Sequence, residues 1–176
     1  VDYRTPVSNG GIPTARCLVM VTPDAQRTMN TFLGASQHLP ADAIDADMIR
    51  AGGILYLEGY LWDPEEPRQA MRSAIEMARA AGRKIAFTLS DGFVIERHRA
   101  DFMDLINGGL IDILFSNEAE IQALAEVQGF EKAVAAIASK VPVLVSTRSE
   151  KGAIAIAGGE RHEVYAAAVE EVIDTT

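Results

Sequence analysis

From Ile54 onward, short apolar runs alternate with segments of helical periodicity. This alternation restricts the fold more than any other feature of the 176-residue chain. Residues 54–57, 85–89, 111–115 and 142–146 are compact apolar runs bounded by turn residues and read as strands. Between the first two, Ala70, Met71, Ala74, Ile75, Met77, Ala78 and Ala81 recur at helical spacing, with Pro67 suited to a first turn and Gly82 to a C-terminal cap. Phe102, Leu105 and Ile106 mark one face of a further helix ending near Asn107-Gly108-Gly109, and residues 117–126 and 130–139 read as two more. Parallel strands need crossover connections, so the pattern predicts an α/β fold: a mostly parallel, Rossmann-like sheet with helices on both faces. In such sheets ligands bind beyond the C-terminal ends of the strands.

The flanking segments read differently. Residues 15–21 and 27–33 are two extended runs around the turn Thr22-Pro23-Asp24-Ala25, which predicts a hairpin closed by Gly34-Ala35-Ser36. Residues 153–157 and 161–165 form a second hairpin around Gly158-Gly159, and residues 39–51 read as helix and loop. A hydrophobic content of 48% suffices for a core, and a net charge of −9 argues against a nucleic-acid partner. A small anion remains compatible, because helix N-termini bind phosphate without net basic charge. Cys17 is the only cysteine and reads as a small strand residue; with no internal disulfide possible, a cytoplasmic location is expected. No apolar run reaches about 18 residues, so no membrane span is expected, and no signal peptide opens the chain. Residues 1–11 read as loop, and both ends read as cuts through a larger protein.

Four stretches carry candidate chemistry. Asn117-Glu118-Ala119-Glu120 directly follows a strand. Asn117 as N-cap with Glu120 three residues later is a capping box, a structural device. The same pair could also place Mg²⁺, which prefers oxygen ligands, keeps several waters and needs few carboxylates. The stretch Val145-Ser146-Thr147-Arg148-Ser149-Glu150-Lys151-Gly152-Ala153 is a polar turn between strands. Asp24-Ala25-Gln26-Arg27-Thr28 sits at the tip of the first hairpin, and Asp174-Thr175-Thr176 ends the chain.

In order and spacing these stretches resemble the PfkB/ribokinase family of sugar and nucleoside kinases. Asn117 and Glu120 resemble the family's Asn-x-x-Glu motif, which organises Mg²⁺ and phosphate through water. Thr147 and Gly152 match the nucleotide-contacting turn Thr-x-Gly-x-x-Gly-Ala, with Ser149 in place of the first glycine. Asp174-Thr175-Thr176 resembles the start of the Asp-Thr-x-Gly-Ala-Gly-Asp signature, so the anion-hole glycines and the catalytic aspartate would follow Thr176. The resemblance runs from about Ala15 to Thr176 and implies a ribokinase-like fold. Residues 1–36 would be part of a small β lid with a substrate-side segment. Residues 37–176 would be an α/β nucleotide-binding core that stops before the Gly-Ala-Gly-Asp motif.

The resemblance further implies phosphotransfer from ATP, with Mg²⁺, to a hydroxyl of a small-molecule nucleoside or sugar. Arg27 would reach from the lid toward the transferred phosphate, while Thr147, Ser149, Gly152, Asp174, Thr175 and Thr176 would line the nucleotide. The run from Cys17 to Asp24, with Arg27 and Thr28, looks adenosine-kinase-like; sugars such as ribose, fructose or 2-keto-3-deoxygluconate are the alternative acceptors. The isolated fragment is alternatively an ATP-binding module without turnover, and a monomer or a homodimer through the lid is expected. A dehydrogenase is disfavoured, since no Gly-x-Gly-x-x-Gly follows a strand. Asp63 and Asp91 each follow a strand and could face the cleft. His38, His98 and His162 read as surface residues, and Trp62 reads as a packing residue.

Overall fold

The computed structural model describes residues 10–170 together with Asp2, Arg4, Thr5 and Val7. Two strands, β1 (Arg16–Val21) and β2 (Arg27–Phe32), form an antiparallel two-stranded sheet that pairs Arg16 with Phe32 and Val21 with Arg27. Six more strands build the main sheet: β3 (Ile54–Glu58), β4 (Lys84–Thr88), β5 (Ile113–Asn117), β6 (Val143–Thr147), β7 (Ala153–Ala157) and β8 (Glu160–Val164). They lie side by side in chain order; β3 to β6 are parallel, and β7 and β8 return antiparallel. Five α-helices accompany them: α1 (Ala46–Ala51), α2 (Glu65–Ala80), α3 (Gly92–Asn107), α4 (Glu118–Ala125) and α5 (Phe130–Ala138). This is the α/β, mostly parallel class the alternation predicts. Residues 39–51 contain a short 3₁₀ turn (Ala41–Ala43) and α1.

Strands in sequential order with right-handed crossovers bring every crossover helix to the same face. Burial follows that rule. Leu57, Phe87, Leu114, Leu144 and Ile154 share one continuous core with Met71 and Ile75 of α2, Phe102 and Ile106 of α3, Leu124 of α4 and Ile137 of α5. The alternate strand residues face the other way. Ile54 and Tyr56 are exposed, and Ile113, Phe115, Val143 and Val145 are half-buried. Tyr56 reaches Phe115 edge-on at 6.5 Å across the narrow strip left by Ala86. Within the described residues, therefore, the helices cover one face of the main sheet. No helix of these residues is long and apolar enough to cross a membrane.

Helix ends obey local chemistry. The α2 terminus is a Schellman motif: Arg83 N–H donates to the Ala78 carbonyl at 2.8 Å, Gly82 N–H to Arg79 at 3.0 Å, and Gly82 takes the left-handed φ of 69°. Gly109 ends α3 the same way, with φ 67° and Leu110 N–H donating to Leu105 at 2.9 Å. The core centres on three rings. Trp62, fully buried, meets Phe87 at 5.9 Å and Phe102 at 5.8 Å, and the two phenylalanines meet at 5.0 Å, all edge-to-face. Its indole N–H donates to Asp101 Oδ2 at 2.9 Å, so the one polar atom of the ring is satisfied. Trp62 is thus a packing residue, as expected.

Truncating the ring trio tests this core. Phe102→Ala leaves a cavity between α3 and β4 and is expected to lower unfolding free energy by about 3–5 kcal/mol, read from chemical denaturation.

Candidate active site

The strand exits of β3 to β6 come out along one edge of the sheet. Glu58 ends β3, Thr88 ends β4 and is followed by Ser90 and Asp91, Asn117 ends β5, and Thr147 ends β6. Their alignment is set by register: Glu58 pairs with Thr88, and Asn117 with Thr147. Below the last pair, the buried hydroxyls of Ser116 and Ser146 bond at 2.6 Å. Two polar residues can sit in this core because each satisfies the other.

Asn117 and Glu120 form the predicted capping box. Asn117 Oδ1 accepts from Glu120 N–H at 2.8 Å, and Glu120 Oε2 accepts from Asn117 N–H at 3.0 Å. A further bond joins Asn117 Nδ2 to Glu120 Oε1 at 2.7 Å. Glu120 is only 7% exposed, and no lysine, arginine or histidine among the described residues forms an ion pair with it. Burial pushes its carboxyl above the usual carboxylate range; the Asn117 N–H opposes the shift and the Asp91 charge adds to it. Burial likewise raises Tyr60, helped by Asp91, which accepts its hydroxyl at 3.4 Å, and by Glu120 and Glu58. Glu58, Asp91 and Glu120 therefore all act on Tyr60, and Asp91 on Glu120, so the field at this edge is negative.

A buried carboxylate that lacks a basic partner and faces other carboxylates suits a hard cation. No group of three or more His, Cys, Asp or Glu side chains among the described residues converges as a cage. The donor set fits Mg²⁺ that keeps most of its waters and takes few protein oxygens.

Thr147 opens the turn at the end of β6. Arg148 N–H donates to the Gly152 carbonyl at 2.7 Å, and Gly152 N–H to Ser149 at 3.0 Å, so Thr147, Ser149 and Gly152 belong to one closed loop. Gly152 has φ 88°, and any Cβ there would overlap the Val164 carbonyl of β8. Ser149, which replaces a glycine of the resembled pattern, adopts φ 50°, the left-handed region that glycine enters freely. The guanidinium of Arg148 lies 4.2 Å over the Phe130 ring and 3.6 Å from Glu118, so it ties the loop to the starts of α4 and α5.

The fold thus brings Asn117, Glu120, Thr147, Ser149 and Gly152 onto adjacent strand exits. Arg27 is the exposed first residue of β2, in the separate two-stranded sheet. Asp174, Thr175 and Thr176 lie outside the described residues. Asp91 does face the edge, where it caps α3 by accepting Phe93 N–H at 3.3 Å.

Sequence reasoning missed Glu58 and Tyr60, whose signal was their position straight after an apolar strand. Glycine is required between them: a Cβ at Gly59 would lie 2.6 Å from the Leu89 carbonyl. One expectation is corrected. His98 is not a surface residue; its side chain is 13% exposed and its Nε2 bonds Asp63 Oδ1 at 3.0 Å, a partner 35 positions away. His38 and His162 are exposed, at 55% and 68%.

The sequence profile described as pfkB family carbohydrate kinase matches residues 1–176. Among solved structures, a probable sugar kinase protein from Rhizobium etli is 39% identical with a TM-score of 0.93, over 99% of this chain and 53% of that one. The adenosine kinase from Sinorhizobium meliloti is 41% identical with a TM-score of 0.89, over 94% of this chain and 51% of that one. A fructokinase from Vibrio cholerae, bound to fructose, ADP and calcium ion, is similar in fold, with 24% identity, a TM-score of 0.70, and coverage of 93% and 55%. The chain spans about half the length of these proteins.

Two stability measurements test the site. A carboxyl raised on folding contributes stability that is present below its unfolded pKa and lost as pH rises through the folded value. Glu120→Gln keeps a capping-box residue and removes the charge, so its stability should gain on wild type as pH rises from about 4 to 7 in thermal melts. Ser149→Gly removes the left-handed strain and should stabilise by about 1 kcal/mol in urea unfolding.

Proposed function

This chain belongs to the pfkB family of carbohydrate kinases, and on that premise we propose that the protein carrying it transfers the γ-phosphoryl of ATP to a hydroxyl of a nucleoside, an adenosine-like one. The observation that carries the reading is the junction of β5 and β6. It sets the Asn117–Glu120 pair beside the Thr147–Gly152 loop on neighbouring, register-matched strands. The first pair suits a hydrated divalent cation, and the second is a loop whose backbone is held in one shape.

Thr147, Ser149 and Gly152 line the nucleotide in this reading, together with Asp174, Thr175 and Thr176. Asn117 and Glu120 hold the cation's water shell. When bound, Mg²⁺ supplies charge neutralisation at the transferring phosphates. Arg27, at the tip of the β1–β2 hairpin, meets the phosphoryl oxygens bidentately as that hairpin closes and excludes water. The base that deprotonates the acceptor is the aspartate of the family signature that opens with Asp174-Thr175-Thr176; it is not among these 176 residues. The chain by itself is accordingly proposed to bind ATP without turning it over.

Two observations support a nucleoside acceptor over a sugar. One relative, 41% identical, is an adenosine kinase. The rings of Tyr60 and Phe93, exposed at 47% and 43%, stand 6.1 Å apart beside Asp91, an aromatic shelf suited to a base. A sugar is the second reading, favoured by the 39% identity to a probable sugar kinase.

The division at residue 36 and the lid role are part of the same proposal. Leu18, Met20, Met29 and Phe32 of the hairpin are each 52–70% exposed, which suits a lid that closes over an acceptor or meets a second copy. Light scattering separates a monomer from a lid-mediated dimer.

The test is ADP release by the full-length protein with ATP and Mg²⁺ against adenosine, other nucleosides, ribose, fructose and 2-keto-3-deoxygluconate. Release with adenosine is expected. Release with a sugar only would overturn the acceptor, and no release with any acceptor would overturn the activity. In the active protein, Glu120→Gln is expected to lower kcat by at least about tenfold while the fold persists in thermal melts.

A further inference from the structure

We infer that Asp63 is a positioning residue that sets the acceptor shelf by clasping the kink of α3. The inference rests on the proposed nucleoside kinase reading and adds a residue that touches neither ATP nor acceptor.

Helix α3 is not continuous. At His98 the backbone leaves helical geometry, with φ −121° and ψ 16°, although no proline or glycine stands near that position. At this point the helix is gripped from outside by Asp63, which bonds two of its side chains. Its Oδ2 accepts from Arg97 Nη1 at 2.5 Å and its Oδ1 bonds His98 Nε2 at 3.0 Å, so one carboxylate holds the break residue and the residue before it. Burial works against the charged form of Asp63, yet the bonds from Arg97 and His98 keep its carboxyl below the usual range.

The segment ahead of the kink, residues 92–97, carries Phe93. It is fastened at two points. Asp91 accepts Phe93 N–H at its start, and Asp63 grips Arg97 at its end. The Arg97 guanidinium also lies 5.2 Å over the Phe93 ring. Asp63 directly follows the 3₁₀ turn Gly59–Trp62, which carries Tyr60. The carboxylate at the end of Tyr60's turn therefore fixes where Phe93's segment sits, and with it the 6.1 Å spacing and 41° tilt of the two rings. Neither end of this clasp involves β5, β6 or the Thr147–Gly152 loop. Its loss should therefore be felt by the acceptor and not by ATP.

The experiment is steady-state kinetics of the full-length protein with adenosine and ATP varied in turn, for wild type, Asp63→Asn, Arg97→Met and Arg97→Lys, each checked by thermal melt. Asp63→Asn is expected to raise KM for adenosine about five- to tenfold, with KM for ATP and kcat within about twofold. Arg97→Met should act in the same direction, and Arg97→Lys should recover part of the loss. Equal changes in both KM values, or a fall in thermal stability with no change in either KM, would overturn the positioning role. If Asp63→Asn does not fold, the Arg97 pair decides on the same criteria. Wild type that is active on a sugar only, or inactive on every acceptor, would overturn the nucleoside reading and this inference with it. Wild type active on adenosine with unaltered variants would overturn this inference alone.

Discussion

Four parallel strands laid down in chain order, β3 to β6, are the constraint on which the rest depends. Because each crossover is right-handed, the order sends every helix to one face and every strand exit to one edge. The first consequence is the core, where Leu57, Phe87, Leu114 and Leu144 lie in register beneath α2 to α5. The second is the site. Residues separated by 89 positions in the chain, Glu58 and Thr147, end up on the same rim through strand pairing alone.

The rim holds together by small polar arrangements that the core would otherwise reject. Ser116 and Ser146 are tolerated because their hydroxyls satisfy each other. Glu120 is tolerated because three bonds join it to Asn117, at the cost of a carboxyl that burial pushes toward protonation. A capping box and a cation site are compatible here. Asn117 orients the carboxylate, and the neighbouring Asp91 charge leaves it short of positive charge.

Much of this is legible in the residues alone. The polar turn after β6, the capping box and both Schellman glycines are local, and local chemistry is written in spacing. The strand limits are less so. The apolar run 111–115 predicts a strand, but β5 is Ile113–Asn117. Ile111 is buried in the turn after α3, whereas polar Ser116 and Asn117 stay in the ladder because Ser146 and Thr147 pair with them. Apolarity reports burial, while pairing is decided by the neighbouring strand. His98 shows the same limit. Its spacing to other residues carries no signal, because its partner Asp63 belongs to a different element.

The sequence by itself therefore determined the α/β class, the order of the elements, the helix ends and the motifs that reveal the family, since each depends on residues within a few positions of one another. Only the tertiary structure decided that Glu58, Tyr60, Asp91 and Glu120 share one negative rim, that Ser149 takes a left-handed conformation in the loop packed against β8, and that Asp63 clasps the break in α3. Those facts arise from contacts between different elements, and such contacts are set by strand register and helix packing, which no local window of the chain contains.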